Sequence, residues 1–525
     1  MKRFVIILAI AALVFAIVPY AVAWARTDPG KQFVGYVYNP ADGASYLVKM
    51  RLGWLGQWRF RLMFTPEKQT GAYLFLFHLG LGRLARWLGA PLAVIYHAAR
   101  LLGGVALLAA LGWLCQIALP EGRARRWGYA FALFGGGIGW AFIWTAPLPV
   151  DVWVPEGYVF YSILANAHFP WAQVLLLLTL ALTALWHSGS IRTRYALPAM
   201  ALMLIALGVL QPFAVGHVGL VWGVWLIFEW ITQRRIPWQT ALALGVVGAA
   251  GLLYPVYGVL AIQRDPVLAA WNAQNVTTSP PWWNWLIGYA LTLPWAVPGA
   301  VRAWRAGRPL ERMLVAWAVG SLLGMVVPIS LQRRLSLGLS IPLGALAGLG
   351  WGAWLDARGD KSRWVRLAKV GMTLFLALTP LFLLTTGFIN PAQAPQRFYI
   401  SAGELEAAQV LLREGPSRVI LAAPERGEAL PWLTGHPVVV GHPMETVDFS
   451  RREADALRFF DGSWDAEKQR AFLCREGVDY VWIGPVERAL GGVGVLLLPG
   501  ARLVVENADV RLYAVEGVCQ YLTRN

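Results

Sequence analysis

Residues 2–24, KRFVIILAIAALVFAIVPYAVAW, followed by ARTDPGKQFVGYVYNPADGASY (25–46), decide how the rest of the chain is read. The first stretch is an apolar run long enough to cross a bilayer, preceded by Lys2 and Arg3. Basic residues ahead of a span favour the cytoplasmic side, so the N-terminus is expected inside. Ala21-Val22-Ala23 looks like a signal-peptidase site. The run before it is long for a cleaved signal, and an uncleaved anchor is expected. The second stretch then leaves the membrane on the outer side and carries Asp42 shortly after the helix.

The rest of the chain follows from this opening. Of 525 residues, 57% are hydrophobic and only 14% charged, with 28 Trp and 54 Gly. Soluble domains carry about 25% charge, so a soluble enzyme is excluded. Aromatic belts and close helix packing explain the Trp and Gly content. Apolar runs recur near 4–24, 92–118, 129–149, 168–186, 196–211, 213–231, 239–262, 283–301, 314–331, 337–355 and 370–388, about eleven spans. Basic clusters follow every even-numbered run: Arg123–Arg126, Arg192 and Arg194, Arg234 and Arg235, Arg302–Arg312, and Arg358–Lys369. Those loops are expected in the cytoplasm, which places the C-terminus outside.

The net charge of +16 divides unevenly: residues 1–389 hold 31 basic and 11 acidic side chains, residues 390–525 hold 14 and 18. The positive charge thus belongs to loops beside a membrane, and nucleic-acid binding is not expected. The expected architecture is a polytopic α-helical membrane domain over 1–389 with a small extracytoplasmic α/β domain over 390–525. The first outer loop, 25–91, is itself basic, and 46–62 and 72–89 read as two amphipathic helices lying on the outer surface.

Acids are nearly absent from the spans, which leaves no midplane carboxylates for ion coupling. Arg100 and His97 are the polar exceptions in the second span. Polar residues gather in the outer loops instead: Asp42; Asp151, Glu156 and His168; His217; Asp265, Gln274 and Asn275; Arg333 and Arg334. Each also has a plain structural use. Asp42 suits a turn, His168 a helix end, Asp265-Pro266 a turn opener, and the Arg pair lipid headgroups. Together they suit transfer chemistry on a lipid-linked phosphate, where a carboxylate takes an acceptor proton and Arg or a metal holds the departing phosphate.

The inward N-terminus, the acidic outer loop with a D-x-x-x-Y-like stretch (Asp42 to Tyr46), its two surface helices and the outer C-terminal domain resemble the GT-C superfamily of membrane glycosyltransferases. That superfamily includes protein O-mannosyltransferases and the aminoarabinose transferase of lipid A. ANAHF (165–169), WNAQNVTTSPP (271–281), LQRRLSLGLSIPL (331–343), VVVGHPMETVDF (438–449) and VDYVWIGPVER (478–488) are similar to an uncharacterised bacterial branch.

The resemblance implies an inverting transferase at the outer face of the plasma (inner) membrane, taking a sugar from a polyprenyl-phosphate donor to a lipid, glycan or protein acceptor. It implies a base or metal-binding role for Asp42 and phosphate binding by Arg333 and Arg334, with Arg100 as a third phosphate-binding candidate. His168, Gln274 and Asn275 become contacts to metal, phosphate or sugar, with His217 a further candidate. A divalent metal, Mg or Mn, is the only cofactor implied. Asp151, Glu156 and Asp265 are open alternatives for a second carboxylate, because Gly43 stands where many members carry one. Two other readings predict different behaviour: a non-catalytic assembly protein with a transferase-like fold, and a flippase or transporter for lipid-linked glycans.

In the last 136 residues, helical spacing over 403–414, 450–460 and 465–476 alternates with strand-like RVILAA, PVVVG, VDYVWIG, ARLVVEN and VRLYAV. GGVG (491–494) lacks a full nucleotide fingerprint. His436, His442, Glu445 and Asp448 read as polar loop residues rather than a metal cluster. Pairing of Cys474 with Cys519 is left open by sequence. The domain is expected to cover the site or bind acceptor.

Overall fold

The computed structural model describes residues 2–359, 362–415, 417–491 and 498–520. Lys361 of the expected cytoplasmic loop and 492–494 of the GGVG stretch lie outside the described residues. In chain order the helices are α1 (Lys2–Ala25), α2 (Pro40–Trp54), α3 (Leu76–Leu88), α4 (Leu92–Ala118), α5 (Arg123–Phe134), α6 (Val159–Ala165), α7 (His168–His187) and α8 (Thr193–Leu210). There follow α9 (Pro212–Gln233), α10 (Trp238–Arg264), α11 (Pro266–Gln274), α12 (Trp282–Gly288), α13 (Leu293–Ala306), α14 (Pro309–Gly324), α15 (Ser340–Arg358) and α16 (Arg363–Gln393).

Eight helical stretches among the described residues are long and apolar enough to cross a membrane: those of α1, α4, α7, α8, α9, α10, α15 and α16. Three of the eleven expected spans take shorter forms. The run at 129–149 is helical only through Phe134, because Gly135-Gly136-Gly137 follows and residues 139–142 form a 3-10 turn. The run at 283–301 is divided between α12 and α13, and the run at 314–331 ends its helix at Gly324.

Two compact units divide the chain. The first comprises Met1–Pro19, His97–Tyr257 and Thr277–Thr386; the second comprises Tyr20–Tyr96, Gly258–Val276 and Gly387–Asn525. In the first, α15 is buried along its length and packs against α5 and α13. Its glycines make that approach possible. A Cβ on Gly344 would stand 2.2 Å from the Ala132 nitrogen, and one on Gly350 would stand 2.1 Å from the Trp295 carbonyl oxygen. Backbones that touch this closely gain dispersion contacts that larger residues would prevent.

The second unit holds two sheets. Strands β1 (Lys31–Phe33) and β2 (Tyr399–Ser401) pair antiparallel. Strands β3 (Ile420–Leu421), β4 (Tyr480–Ile483), β5 (Arg502–Glu506) and β6 (Arg511–Ala514) form a four-stranded sheet in the order β3-β4-β6-β5, with β3 and β4 parallel. Helices Phe449–Phe460 and Ala466–Glu476 close a core containing Leu421, Phe459, Phe460, Phe472, Val481 and Tyr513. A Cys474–Cys519 disulfide is present, which resolves the pairing left open above. The expected strand PVVVG makes only an isolated bridge, Ile420 to Val438. On the β3 side the Ile420 amide donates to the Pro437 carbonyl at 2.9 Å and the Val439 amide to the Ile420 carbonyl at 3.0 Å, and on its other side the Val438 amide donates to the Met63 carbonyl at 2.9 Å.

The expected surface helices require correction. The first spans 40–54 rather than 46–62, beginning at Pro40 after Asn39 turns in a left-handed conformation (φ 45°). It is largely buried rather than surface-lying, because it crosses α3 through facing glycines. A Cβ on Gly53 would lie 2.0 Å from the Leu79 carbonyl oxygen, and one on Gly82 would lie 1.8 Å from that of Met50. The second is α3, which does keep an amphipathic face. Trp87 is 82% exposed and Leu88 54%, while Leu79 and Ala85 are buried.

Candidate active site

Helix α2 carries Asp42, Ser45 and Lys49 at steps of three and four residues, which places all three on one face. That face meets the tight turn of residues 441–446. Within the turn, the Glu445 and Thr446 amides donate to the His442 carbonyl at 3.1 and 2.9 Å, and the Gly441 amide donates to Thr446 Oγ1 at 3.1 Å. Gly441 is required there, since a Cβ would lie 2.6 Å from the Phe64 ring. The α11 residue Gln274 supports the turn from the side, donating from Nε2 to the Thr446 carbonyl at 2.6 Å.

Two contacts join the turn to α2. Glu445 Oε1 accepts from Lys49 Nζ at 2.7 Å and from Ser45 Oγ at 2.6 Å, and Lys49 also donates to Ser45. Lys49 is 1% exposed and lies 4.5 Å from the Phe75 ring centroid and 5.4 Å from that of Phe60. Burial alone would raise the Glu445 carboxyl pKa, but the Lys49 and His442 charges and the hydrogen bonds from Lys49 and Ser45 together outweigh it and hold the pKa below the usual range. A buried pair of this kind is costly to break, about 3–5 kcal/mol when one partner is removed. The second contact joins His442 Nε2 to Asp42 Oδ1 at 3.5 Å. The His442 ring is buried, whereas the Asp42 side chain is 50% exposed. Burial would lower the His442 pKa, but its bond to Asp42 and the Glu445 charge outweigh burial and raise it.

Tyr46, the last residue of the D-x-x-x-Y-like stretch, stacks on His78 at 4.8 Å. Asp265, the other acid expected from this unit, caps α11. Its Oδ1 accepts from the Val267 and Leu268 amides, and its Oδ2 accepts from Thr70. Asn275 ends α11 as its C-cap.

The remaining candidates belong to the first unit. Arg333 Nε contacts Glu156 Oε1 at 3.3 Å and its guanidinium lies over Trp153; Arg334 lies over Phe213. Asp151 is buried and accepts through Oδ2 from the Gly137 and Gly139 amides and Thr379 Oγ1. Burial pushes its pKa up to about 6. Arg100 clamps helices together, donating to the Ile163, Leu164 and Ala16 carbonyls and to His97 Nδ1. His168 packs on Phe169, and His217 Nε2 is 2.9 Å from Ser321 Oγ. Glu156 and Arg333 are thus brought together, while Asp151, Arg100, His168 and His217 each have a separate set of partners.

Three residues of the α2 site, Lys49, His442 and Glu445, are missed by motif reading. One signal was available. A lysine on the same face of a helix as Asp42 and Ser45, set among apolar residues, demands a buried acid elsewhere in the chain.

No family model matches the chain, and no curated protein matches it. Solved structures do. ArnT from Cupriavidus metallidurans bound to undecaprenyl phosphate is similar with a TM-score of 0.54 at 15% identity, covering 97% of each chain. Archaeal oligosaccharyltransferase AglB from Archaeoglobus fulgidus, in complex with an inhibitory peptide and a dolichol-phosphate, gives 0.50 at 12% identity, over 98% of this chain and 74% of that one. Arabinofuranosyltransferase AftD from Mycobacteria gives 0.56 at 16% identity, over 98% of this chain and 40% of that one. At these identities the likeness is one of fold. The chain therefore shares the fold of these structures, which are members of the GT-C superfamily.

The archaeal oligosaccharyltransferase has also been solved in complex with Zn and sulfate. Here the donor set does not fit the expected Mg or Mn. No group of three His, Cys, Asp or Glu able to hold a metal occurs among the described residues. Asp42 faces an imidazole, whereas Mg and Mn favour oxygen donors, and the Glu445 carboxylate is engaged by Lys49 and Ser45.

Proposed function

We propose that this protein is an inverting glycosyltransferase that moves a sugar from a polyprenyl-phosphate donor to an acceptor hydroxyl at the outer face of the plasma membrane. The observation that carries this reading is Asp42, a half-exposed carboxylate at the start of an otherwise buried helix, held by a buried imidazole. In the reaction, the acceptor oxygen forms a bond to the anomeric carbon from the face opposite the phosphate. The bond from that carbon to the phosphate oxygen breaks, and its electron pair leaves with the polyprenyl phosphate. The acceptor proton passes to the Asp42 carboxylate, which acts as general base. Arg333 and Arg334 supply positive charge for the departing phosphate. The undecaprenyl and dolichol phosphates named in the ArnT and AglB structures support a lipid-phosphate donor.

In this reading the shorter helices α5, α13 and α14 complete eleven spans, with the N-terminus inside and the segment from residue 390 outside. The test is transfer of radiolabelled sugar from a panel of polyprenyl-phosphate donors in proteoliposomes, comparing wild type with Asp42→Asn. Label that moves to acceptor in wild type and not in the variant supports the reading. Transfer that survives the substitution removes Asp42 as base. Donor movement across the bilayer without transfer favours a flippase, and neither movement nor transfer favours an assembly role.

A further inference from the structure

The 3-10 turn Gln332–Ser336 carries both arginines read above as holding the departing phosphate, and the inference from it rests on that reading. Two of the sequence motifs, WNAQNVTTSPP and LQRRLSLGLSIPL, meet at this turn. The Thr277 amide donates to the Ser330 carbonyl at 2.7 Å, and the Arg333 amide donates to the Thr277 carbonyl at 3.2 Å. The Ser279 amide donates to Gln332 Oε1 at 3.2 Å. The backbone under the arginine pair is thus fastened on one side by residues 277–279.

The two side chains are engaged differently. Arg333 donates from Nε to Glu156 Oε1 at 3.3 Å, and its guanidinium lies 4.7 Å from the Trp153 ring centroid. Glu156 is only 5% exposed, against 22% for Arg333. Its carbonyl accepts from the Gly338 amide at 2.9 Å and from Gln173 Nε2 at 3.1 Å, so its backbone is fixed. Trp153 is fixed too, donating from Nε1 to the Leu148 carbonyl at 2.6 Å. A guanidinium holds five N–H donors in one rigid plane. Glu156 takes the one on Nε; the four on Nη1 and Nη2 meet no acceptor among the described residues. Arg334 makes no side-chain hydrogen bond or ion pair among those residues. Its Nε is buried without a partner, and its guanidinium lies 5.7 Å from the Phe213 ring centroid. Leaving the donors of a cation unpaired is costly, and paired guanidinium N–H groups match the oxygens of a phosphate.

We propose that Glu156 is the positioning residue for Arg333: by taking Nε–H it turns the Nη1/Nη2 fork toward the oxygens of a lipid-linked phosphate, beside Arg334. Glu156 touches the arginine and not the phosphate, and no bond or proton changes at its carboxylate. By charge alone a carboxylate here would oppose an anion. Orientation and charge therefore act with opposite signs on phosphate affinity, which makes them separable.

The experiment is titration of the full chain in nanodiscs with undecaprenyl phosphate carrying no sugar, with inorganic phosphate and phosphatidylglycerol as parallel probes. Glu156→Asp keeps the charge but draws the acceptor back by one methylene. It is expected to raise Kd roughly 10-fold, about the loss of one charge-assisted hydrogen bond. Glu156→Gln removes the charge but keeps Oε1 as an acceptor for Nε–H, and is expected to bind at least as tightly as wild type. Tighter binding in both variants, or equal weakening in both, overturns the positioning role. Undecaprenyl phosphate is expected to bind more tightly than either control. A control that binds as tightly and responds alike to the variants overturns the assignment to a polyprenyl phosphate.

Arg333→Gln and Arg334→Gln separate this proposal from the reading beneath it. Unchanged affinity for undecaprenyl phosphate in both removes the phosphate reading of the pair and the proposal with it. Weakened affinity in both, with Glu156→Asp binding as wild type does, removes the positioning role alone.

Discussion

Two pairs of buried polar groups, Arg100 and Asp151 in the first unit and Lys49 and Glu445 in the second, are satisfied in opposite ways. In the first, Arg100 and Asp151 direct their polar atoms at backbone: Arg100 at three carbonyls, Asp151 at two amides and the Thr379 hydroxyl. In the second, Lys49 and Glu445 answer each other with opposite charges, and next to them a half-exposed Asp42 lies 3.5 Å from a buried imidazole. Groups that satisfy backbone stabilise architecture, because each replaces water at an otherwise orphaned donor or acceptor. A half-exposed carboxylate beside a buried imidazole is placed to exchange a proton. Polar residues in a membrane protein therefore cannot be sorted by rarity alone; what their atoms meet separates scaffold from chemistry.

The sharpest way to break this comparison is Asp42→Asn. It is expected to cost about 100-fold or more in transfer, the range for loss of a general base, with thermal unfolding of the detergent-solubilised protein unchanged. A fall in Tm equal to that of a scaffold variant would place Asp42 with the architecture instead.

Glu445→Gln comes next. Leaving Lys49 buried without its counter-charge should cost about 3–5 kcal/mol, read as a lower denaturation midpoint. Lys49→Met combined with Glu445→Gln should cost less than the two single changes summed. The sign of the pH effect follows from the lowered Glu445 pKa. Its contribution is present above the unfolded carboxylate value of about 4.3 and is lost as pH falls through the lower folded value. Acid unfolding measured on Glu445→Gln should therefore have a shallower pH dependence than wild type.

Replacing Cys474 and Cys519 with Ser should destabilise the four-stranded sheet by about 2–4 kcal/mol. Hydrogen exchange is expected to rise in 466–520 and to stay unchanged at α15. The smallest effect is expected at Asp265→Ala, where loss of an N-cap costs about 1 kcal/mol and sugar transfer continues. A loss of transfer there without loss of stability would move Asp265 from the scaffold group to the chemical one.

Much of the architecture was legible because its cause is local. An apolar run of bilayer length such as 92–118 has to become a helix in lipid, whatever surrounds it. Strands such as VDYVWIG and VRLYAV announce themselves by β-branched and aromatic content, and β4 and β6 form there. The errors have a common physical origin. The stretch 46–62 reads from sequence as an amphipathic surface helix, because a span in this loop would invert the basic clusters of every later loop. In the fold, Gly53 and Gly82 let α2 and α3 touch, and Lys49 finds Glu445, so the helix is buried. PVVVG has a strand's composition, but β3 is only two residues long and gives it a single bridge at Val438, while its other edge meets Met63. Both outcomes depend on partners hundreds of residues distant.

Composition and periodicity alone therefore determined that this is a many-helix membrane protein ending in a small α/β segment, with Asp42 shortly after its first apolar run. Those features arise from solvent partitioning and backbone propensity, which act over a few residues. Only the tertiary structure decided what Asp42 meets, which of the polar loop residues serve structure, and that His442 and Glu445 belong with α2. Pairing of charges and direction of hydrogen bonds require atoms within about 3–4 Å, and that proximity is created by folding rather than by position in the chain.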